Sequence, residues 1–252
     1  MSSSFANRSA LITGAASGIG LAVARHLAAA GAGRLILVDR DAGALGAVDL
    51  PCEVDRAPGD VCDEKFWEAL ERRIEGVDHA VVNAGVTGAA KIVEHDFAEW
   101  RRILSVNLDG AFLTIRASMR AMQGLGGTIV ATASASGLKP EPGTAAYGAS
   151  KAALIHLVKV AAKEGASAKI RVNAIAPAGV ETPIWNAMPF FTDLVRSTGS
   201  RESAFAQMAS RATPLGRYAK AEEIAEQIAF LLSEASALVT GATLVSDGGY
   251  SL

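Results

Sequence analysis

The stretch "SALITGAASGIG", residues 9–20, places a glycine-rich loop between a short apolar run and an alanine-rich segment. The apolar run is typical of a β-strand, and residues 18–30 are predicted to form a helix. Gly14, Gly18 and Gly20 are spaced G-x-x-x-G-x-G, and glycine lets a backbone approach a phosphate group closely. A helix N-terminus adds unpaired N–H groups and a partial positive charge. The order strand, glycine loop, helix therefore predicts a dinucleotide site, whereas a glycine loop taken alone is also compatible with a simple tight turn.

The alternation of apolar runs and helical segments continues along the chain. Further strands are predicted at residues 34–39, 78–85, 127–134, 169–177 and 242–248, and further helices at 63–75, 96–122, 144–164 and 219–234. Runs that are apolar on both faces are what a parallel sheet covered by helices on each side requires. We therefore predict an α/β fold, a Rossmann-like doubly wound parallel sheet of about seven strands, in a single domain over residues 1–252.

Two pieces compete for the end of the third strand. They are "CEVD" at residues 52–55 and "GDV" at residues 59–61. We place the functional end at Asp60, because the helix predicted from residue 63 follows it directly.

Composition and charge favour a small-molecule partner. The 252 residues are 50% hydrophobic and 20% charged, with a formal net charge of -2. The absence of a block of like charges argues against binding to nucleic acid or to an anionic membrane. No apolar run reaches the roughly 20 residues that span a bilayer, and the first residues lack a secretory pattern, so a cytoplasmic protein is expected.

Cysteine and histidine positions predict neither a disulfide nor a metal site. Cys52 and Cys62 fit no disulfide framework and no C-x-x-C pair, so reduced thiols are expected. The histidines show no paired ligand spacing. They are expected at ordinary surface or helix positions and are His26, His79, His95 and His156.

Asp39 closes the second predicted strand about 20 residues after the glycine loop, where an acidic residue accepts hydrogen bonds from the adenosine ribose. Its charge would repel a 2′-phosphate, and the neighbouring Arg40 has no basic partner in the glycine loop. NAD is therefore expected rather than NADP. The alternative role for Asp39 is to cap a helix that starts near Asp41.

The motif "YGASK", residues 147–151, places a phenol and an ammonium on one face of the predicted helix. A cation next to a phenol favours the phenolate, so Lys151 is expected to lower the pKa of Tyr147. For a bare Y-x-x-x-K motif, a half-buried tyrosine and a solvated lysine are the alternative.

These features together resemble the short-chain dehydrogenase/reductase family over almost the whole chain. The resemblance rests on an ordered set of motifs, which are "TGAASGIG" at 13–20, "GDV" at 59–61, "NAG" at 83–85, Asn107 in "SVNLDGAF", Ser134 in "ATASASG", "YGASK", "NAIAPAGVET" at 173–182 and "VSDGGY" at 245–250.

The resemblance implies an oxidoreductase acting on a CH–OH group. It makes Tyr147 the proton donor or acceptor, Lys151 its pKa partner and a ligand of the nicotinamide ribose, and Ser134 the hydrogen-bond donor to the reacting oxygen. Asn107 is implied to anchor a water molecule that relays protons. For Asn107 alone, a capping or kink position within a long helix is the alternative.

The resemblance also implies the contacts to the cofactor. Asp60 and Val61 are expected beside the adenine, Thr182 at the carboxamide and Ile19 near the nicotinamide. The full expected set is Gly14, Ser17, Gly18, Ile19, Gly20, Asp39, Arg40, Asp60, Val61, Asn83, Ala84, Gly85, Tyr147, Lys151, Pro177, Gly179, Val180 and Thr182.

Two places depart from the family pattern. Ala178 stands where the family usually has glycine, and Gly179 follows it, which predicts altered backbone dihedrals beside the nicotinamide. The segment from Asp39 to Asp60 is short and leaves room for only a short helix after the second strand.

Residues 183–212 form a long apolar insertion and a candidate substrate lid. Trp185 and Met188 within it, together with Ser136, are candidate substrate contacts. The alternatives are a structural flap for the segment and a plain surface position for Ser136. The cations of the segment, Arg196, Arg201 and Arg211, lie outside its aromatic stretch at 185–191, so we expect an apolar cyclic or aryl substrate and poor activity on polyols, sugars and small hydroxy acids.

The sequence therefore predicts an NAD-dependent enzyme that interconverts a secondary alcohol and a ketone. One alternative is an NADPH-dependent 3-oxoacyl-thioester reductase, against which Asp39 argues. Another is a non-catalytic dinucleotide-binding sensor, which would tolerate the loss of Ser134, Tyr147 or Lys151. A homotetramer is implied by the resemblance, and the helices predicted at 96–122 and 144–164 carry more apolar residues than one sheet-facing stripe needs.

Overall fold

The computed structural model describes residues 5–252. Its strands pair in parallel as one 7-stranded sheet in the order β3-β2-β1-β4-β5-β6-β7. They are β1 (Ser9–Thr13), β2 (Arg34–Asp39), β3 (Glu53–Pro58), β4 (His79–Val82), β5 (Gly127–Thr132), β6 (Ile170–Pro177) and β7 (Thr243–Ser246).

The helices lie on both faces of this sheet. They are α1 (Gly18–Ala29), α2 (Ala42–Gly46), α3 (Glu64–Leu70), α4 (Phe97–Leu104), α5 (Gly110–Ala121), α6 (Ala145–Gly165), α7 (Pro189–Thr198), α8 (Arg201–Ala212) and α9 (Ala221–Leu232). The α/β doubly wound fold that the sequence predicts is confirmed. The third strand includes most of "CEVD" and ends two residues before Asp60.

Alternate residues of the strands face two separate hydrophobic cores. Leu11 of β1 packs with α3, α5 and α6, while its neighbour Ile12 packs with α1 and α9. Both side chains are fully buried. Strands that are apolar on both faces are therefore required at the centre of the sheet.

The strand order reverses between β1 and β4, which leaves a crevice at the carboxyl ends of these two strands. The loops that follow β1, β2, β4, β5 and β6 all start from this edge, so residues far apart in sequence meet there.

The helix predicted over residues 96–122 is present as a continuous helical run from Phe97 to Ala121. A π-helical turn over Ser105–Asp109 lies between α4 and α5 within this run. The buried Asn107 side chain leaves the helix axis to accept a hydrogen bond from the Val86 N–H at 2.8 Å and to donate one to the Val86 carbonyl at 2.9 Å. Such turns occur frequently at functional sites.

His79 is the histidine whose predicted environment is wrong. It lies on β4 rather than on a surface or helix, with Nδ1 2.6 Å from the Thr128 hydroxyl and its ring edge against Phe5. Burial lowers the pKa of His79 to about 4, so the ring is neutral near pH 7.

None of the helices within residues 5–252 has both the length and the apolarity to cross a bilayer.

Candidate active site

A cleft of about 910 Å³ opens at the carboxyl edge of the sheet, where the strand order reverses. It is lined by the glycine loop at one end and by Ser134, Tyr147 and Lys151 further along. The turn before α7 covers part of it through Trp185 and Met188.

The glycine loop has the geometry that a phosphate cradle needs. Gly14 and Gly18 adopt φ of +66° and +53°, which side chains rarely tolerate, and a Cβ on Gly20 would lie 2.1 Å from the Gly14 carbonyl oxygen. Ser17 precedes α1 without capping it through its side chain, and Ser17, Gly18 and Ile19 at the start of this 12-residue helix line the cleft. The N–H groups of this first turn fit the phosphates of a dinucleotide.

Asp39 is oriented by the glycine loop itself. One of its carboxylate oxygens accepts a hydrogen bond from the Ala16 N–H at 3.0 Å, and the other accepts one from the Asp41 N–H at 3.0 Å. The cap of α2 is Asp41, which accepts from the Ala44 N–H. Asp39 lines the cleft beside the exposed Arg40. The alternative role of helix cap belongs to Asp41 instead.

The "NAG" motif joins the ends of β1 and β4. The Thr13 hydroxyl accepts hydrogen bonds from the N–H groups of Asn83 at 3.0 Å and Ala84 at 3.1 Å. The Asn83 amide in turn donates to the Thr13 carbonyl at 3.1 Å. This hydrogen-bond network fixes the wall of the cleft that Asn83, Ala84 and Gly85 form. Thr13 is therefore a positioning residue, and sequence reasoning did not identify it.

The "GDV" motif follows β3 and turns into the cleft. Asp60 accepts a hydrogen bond from the Cys62 N–H at 2.9 Å, and Val61 packs below the π-helical turn, where its side chain would clash with a Cβ on Gly110. Asp60 and Val61 both line the cleft.

Ser134 and Tyr147 meet at the end of β5. Ser134 is buried, and its hydroxyl accepts a hydrogen bond from the Ser136 N–H at 3.2 Å. Burial raises the pKa of Tyr147, although the Ser134 hydroxyl acts in the opposite direction. Ser136 lies in the 3₁₀ turn Ala135–Gly137 and also lines the cleft.

Lys151 lies on the same helix face as Tyr147, with Nζ 5.8 Å from the centre of the phenol ring. Its ammonium donates a hydrogen bond of 2.7 Å to the Thr132 carbonyl rather than to the phenol oxygen. Burial lowers the pKa of Lys151 to about 8. The sequence predicts that Lys151 lowers the pKa of Tyr147. Among the groups of the protein itself, burial has the larger effect, and the pKa of Tyr147 is raised.

Asn107 lies behind the cleft wall rather than in it. Besides Val86, its amide donates to the Ser150 hydroxyl at 3.1 Å. A Cβ placed on Gly85 would lie 3.3 Å from the Asn107 amide oxygen and 3.6 Å from Lys151 Nζ, so both atoms border the same space. Asn107 lies in the π-helical turn and connects the backbone at Val86 with α6 through Ser150.

The departure at Ala178 causes no backbone strain. Ala178 is not among the described residues with positive φ, so its side chain is accommodated there. Gly179 is needed for a different reason, because a Cβ there would lie 2.3 Å from the Tyr218 ring. Thr182 is buried and faces Gly18 across the cleft, 3.4 Å from a Cβ placed there.

The insertion at residues 183–212 folds into a 3₁₀ turn, α7 and α8. Its large apolar residues occupy two environments. Phe191 and Phe205 are buried against each other, 4.8 Å apart, in a cluster that includes Tyr218. Trp185, Met188 and Phe190 line the cleft.

Arg201 places a positive charge closer to the aromatic residues than the sequence suggests. Its guanidinium lies 5.1 Å from the Phe191 ring and donates to the Thr182 carbonyl at 3.3 Å. The aromatic cluster is therefore next to a cation in space, although the stretch at 185–191 contains none.

Most residues that the sequence predicts for the site line this one cleft. Two are exceptions, since Gly20 supports the glycine loop from behind and Asn107 lies below Val86. The predicted residues that line it are Gly14, Ser17, Gly18, Ile19, Asp39, Arg40, Asp60, Val61, Asn83, Ala84, Gly85, Ser134, Ser136, Tyr147, Lys151, Pro177, Gly179, Val180, Thr182, Trp185 and Met188.

Several further cleft residues were not identified from the sequence. Arg102 lies on α4, paired with Glu99 at 2.7 Å, and Thr144 precedes α6. Tyr218 and Tyr250 follow the insertion and β7. For Tyr250 a signal existed, because it ends the "VSDGGY" motif; nothing in the sequence marks the others. These further residues include Thr87, Arg102, Thr144, Tyr218 and Tyr250.

Similar proteins are dehydrogenases and reductases. Residues 14–251 match the protein family described as enoyl-(acyl carrier protein) reductase. The chain is 39% identical to a cis-4-hydroxycyclohexanecarboxylate dehydrogenase of Sinomonas cyclohexanicum, across 100% of this chain and 99% of that protein. It is 37% identical to a 3-oxoacyl-(acyl-carrier-protein) reductase of Thermotoga maritima, across 95% and 96%.

Among solved structures, the L-sorbose reductase of Gluconobacter frateurii, complexed with NADPH and L-sorbose, has a TM-score of 0.91 at 29% identity. The likeness covers 99% of this chain and 98% of that one.

Proposed function

The chain belongs to the short-chain dehydrogenase/reductase family, and on that premise we propose that it is an NAD-dependent oxidoreductase interconverting a secondary alcohol and a ketone. Its relatives support an oxidoreductase that acts on a CH–OH group. The observation that carries the proposal is that Ser134, Tyr147 and Lys151 line the same cleft as the glycine loop.

The proposed choice of NAD rests on Asp39. Its carboxylate is fixed at the cleft by two backbone N–H groups, so it would remain close to the 2′ position of an adenosine ribose. A 2′-phosphate there would face a like charge. The sugar reductase with a similar fold is complexed with NADPH, which makes this residue the first to test.

The residues of the site divide the chemistry between them. Bound NAD⁺ would supply the hydride acceptor and a positive charge near the phenol. In alcohol oxidation, Tyr147 as phenolate accepts the hydroxyl proton and Ser134 donates a hydrogen bond to the reacting oxygen. Lys151 and Asn107 border the space beside Gly85, through which we propose that the proton is relayed away from the phenol. Ketone reduction reverses these steps.

We propose an apolar cyclic or aryl substrate. The part of the cleft beyond Thr182 is bordered by Trp185, Met188, Phe190 and Tyr218, and such side chains favour a ligand with an apolar ring. The relative named as a cis-4-hydroxycyclohexanecarboxylate dehydrogenase acts on a substrate with a ring of this kind. We propose that residues 183–212 act as the lid over this part of the cleft, with the Phe191 and Phe205 cluster as its rigid base.

Two alternatives are weighed against this proposal. An NADPH-dependent 3-oxoacyl-thioester reductase is supported by the relative from Thermotoga maritima and opposed by Asp39. A non-catalytic sensor is opposed by the presence of Ser134, Tyr147 and Lys151 together.

We also propose a homotetramer in the cytoplasm, as the family resemblance implies. Exposed apolar side chains lie on α5 and α6, at Phe112 and Val160, and on α9 and β7, at Phe230 and Val245. β7 ends the sheet, and an edge strand favours association. Light scattering should give four times the 25.9 kDa of one chain; a mass of one chain would refute the tetramer.

The enzyme proposal is tested by a screen of secondary alcohols with NAD⁺ and of ketones with NADH, followed by nicotinamide absorbance. We expect alicyclic and aryl alcohols to give the highest kcat/KM, and the Tyr147→Phe protein to be the blank. No turnover above this blank would contradict the reaction class. A sugar or polyol that outperforms every cyclic alcohol would contradict the substrate class.

A further inference from the structure

Tyr250 brings an aromatic ring into the catalytic cleft from the far end of the described chain. It belongs to the turn at residues 247–252, which follows β7, and it lines the same cleft as Ser134, Ser136 and Tyr147. The turn is closed by the Asp247 carboxylate, which accepts hydrogen bonds from the N–H groups of Gly249 at 2.9 Å and Ser251 at 2.8 Å.

Two charged side chains of the catalytic loop lie next to Tyr250. Lys139 donates a hydrogen bond of 2.8 Å to the Tyr250 carbonyl, and its ammonium lies 4.6 Å from the centre of the ring. The Glu141 carboxylate adds to burial in raising the pKa of the Tyr250 phenol. Lys139 and Glu141 lie between Ser134 and Tyr147 in sequence, so the ring is tied to the loop that carries the chemistry.

The same turn also contacts the segment that directly follows the proposed lid. The Leu215 N–H donates to the Gly248 carbonyl at 3.1 Å, and a Cβ on Gly249 would lie 2.9 Å from Pro214. Pro214 and Leu215 follow α8, the last helix of the insertion. The turn therefore connects the lid with the catalytic loop, and Tyr250 lies where the two meet.

We propose that Tyr250 contacts the substrate and limits the size of the ring that the cleft accepts, with Lys139 as a positioning residue. This inference rests on the proposed function, because it concerns the substrate of the same site. An aromatic side chain buries a large apolar area against a ligand. Lys139 contacts both the backbone carbonyl of Tyr250 and the face of its ring, so the ring cannot move aside without losing those contacts. Tyr250 consequently forms a fixed wall, unlike a lid residue.

The kinetic test compares a small and a large cyclic substrate. For Tyr250→Ala we expect kcat/KM for cyclohexanol to fall by about tenfold, mainly through KM, while the bicyclic 2-tetralol loses less than about threefold or gains. Leu252→Ala, which changes a fully exposed neighbour, is the matched control and should leave both values unchanged. Equal losses for the two substrates would overturn the proposal.

A binding measurement separates this proposal from the proposed reaction. 2-Naphthol is a bicyclic phenol whose hydroxyl-bearing carbon has no hydrogen to lose as hydride, and its fluorescence reports binding to the enzyme with NADH. We expect Tyr250→Ala to weaken its Kd at least about fivefold, and the control Leu252→Ala to change it less than about twofold. If no alcohol is turned over but this difference in Kd remains, the proposed reaction is contradicted and the proposed role of Tyr250 is supported. If the difference in Kd is absent, the role of Tyr250 is contradicted, whether or not alcohols are turned over.

The positioning role is tested at Lys139. Lys139→Met should raise KM for cyclohexanol by about three- to tenfold with kcat within about twofold of the wild type, because the wall loses its support while Tyr147 stays in place. Lys139→Arg retains a cation and a donor and should restore KM. A fall in kcat without a change in KM would overturn the positioning role.

Discussion

The two halves of the cleft are built in different ways. The half around the glycine loop is formed by backbone, because Gly14, Gly18 and the first turn of α1 provide its N–H groups and Asp39 is held by the Ala16 N–H. The half beyond Thr182 is formed by side chains, whose rings come from the insertion and from two later segments. Backbone tolerates little variation, whereas a side-chain wall can change with each substitution. The first half is therefore suited to a fixed cofactor and the second to a variable substrate.

The largest expected effect lies at the boundary between the two halves. Tyr147→Phe removes one hydroxyl and leaves the ring to pack, so turnover should fall by about 10²- to 10⁴-fold while NADH binds as before. Stopped absorbance assays give the rate, and fluorescence titration with NADH gives the affinity. A variant that retains a tenth of the wild-type rate would mean that another group transfers the proton.

Neighbouring phenylalanines in the insertion sharpen the comparison within the substrate half. Phe191 is 1% exposed in the aromatic cluster and Phe190 is 50% exposed at the cleft. Phe191→Ala should lower the free energy of unfolding by about 3 to 5 kcal/mol, because it leaves a cavity. Phe190→Ala should change stability by less than about 1 kcal/mol and instead raise KM for cyclic substrates. Denaturant unfolding measures the stability effect and steady-state kinetics the effect on KM. Equal losses of stability in the two variants would mean that both phenylalanines serve only to pack the insertion.

The backbone half is tested with a pair of glycines. A Cβ on Gly20 meets the Gly14 carbonyl oxygen at 2.1 Å, whereas nothing lies within 4 Å of a Cβ on Gly46. Gly20→Ala should therefore weaken NADH binding by about a hundredfold through distortion of the loop, and Gly46→Ala should bind as the wild type does. Calorimetric titration with NADH measures both, and unchanged affinity in Gly20→Ala would remove the glycine loop from the cofactor site.

The smallest expected effect concerns the choice between cofactors. Repulsion of a 2′-phosphate by Asp39 should give a preference for NAD of about ten- to a hundredfold. Asp39→Ala should narrow this preference, and Asp41→Ala, which removes the cap of α2 but no charge from the cleft, should leave the ratio unchanged. The ratio of kcat/KM for NAD⁺ and NADP⁺ is the measurement. Equal use of both by the wild type would show that Asp39 does not select the cofactor.

Sequence alone was sufficient for the parts of the protein whose signal is local. The glycine loop, the parallel sheet and the one-face spacing of Tyr147 and Lys151 depend on residues a few positions apart, since turn geometry and helix periodicity act over that range. The carboxyl edge of the sheet then collects the ends of successive strands. For this reason nearly every predicted cofactor residue lines the cleft.

Tertiary structure decided what depends on contacts between distant segments. The π-helical turn at Asn107 exists because its amide pairs with Val86, 21 positions away, and no local pattern within the helix encodes that pairing. Phe190 and Phe191 are adjacent and chemically identical, yet only the packing of α7 on α8 buries one of them. Lys139 is 111 positions from Tyr250 in sequence but donates a hydrogen bond to its carbonyl. This contact between distant segments holds Tyr250 at the cleft. Local periodicity determines which elements form, whereas the side chains that face one another across a cleft are determined by how those elements pack.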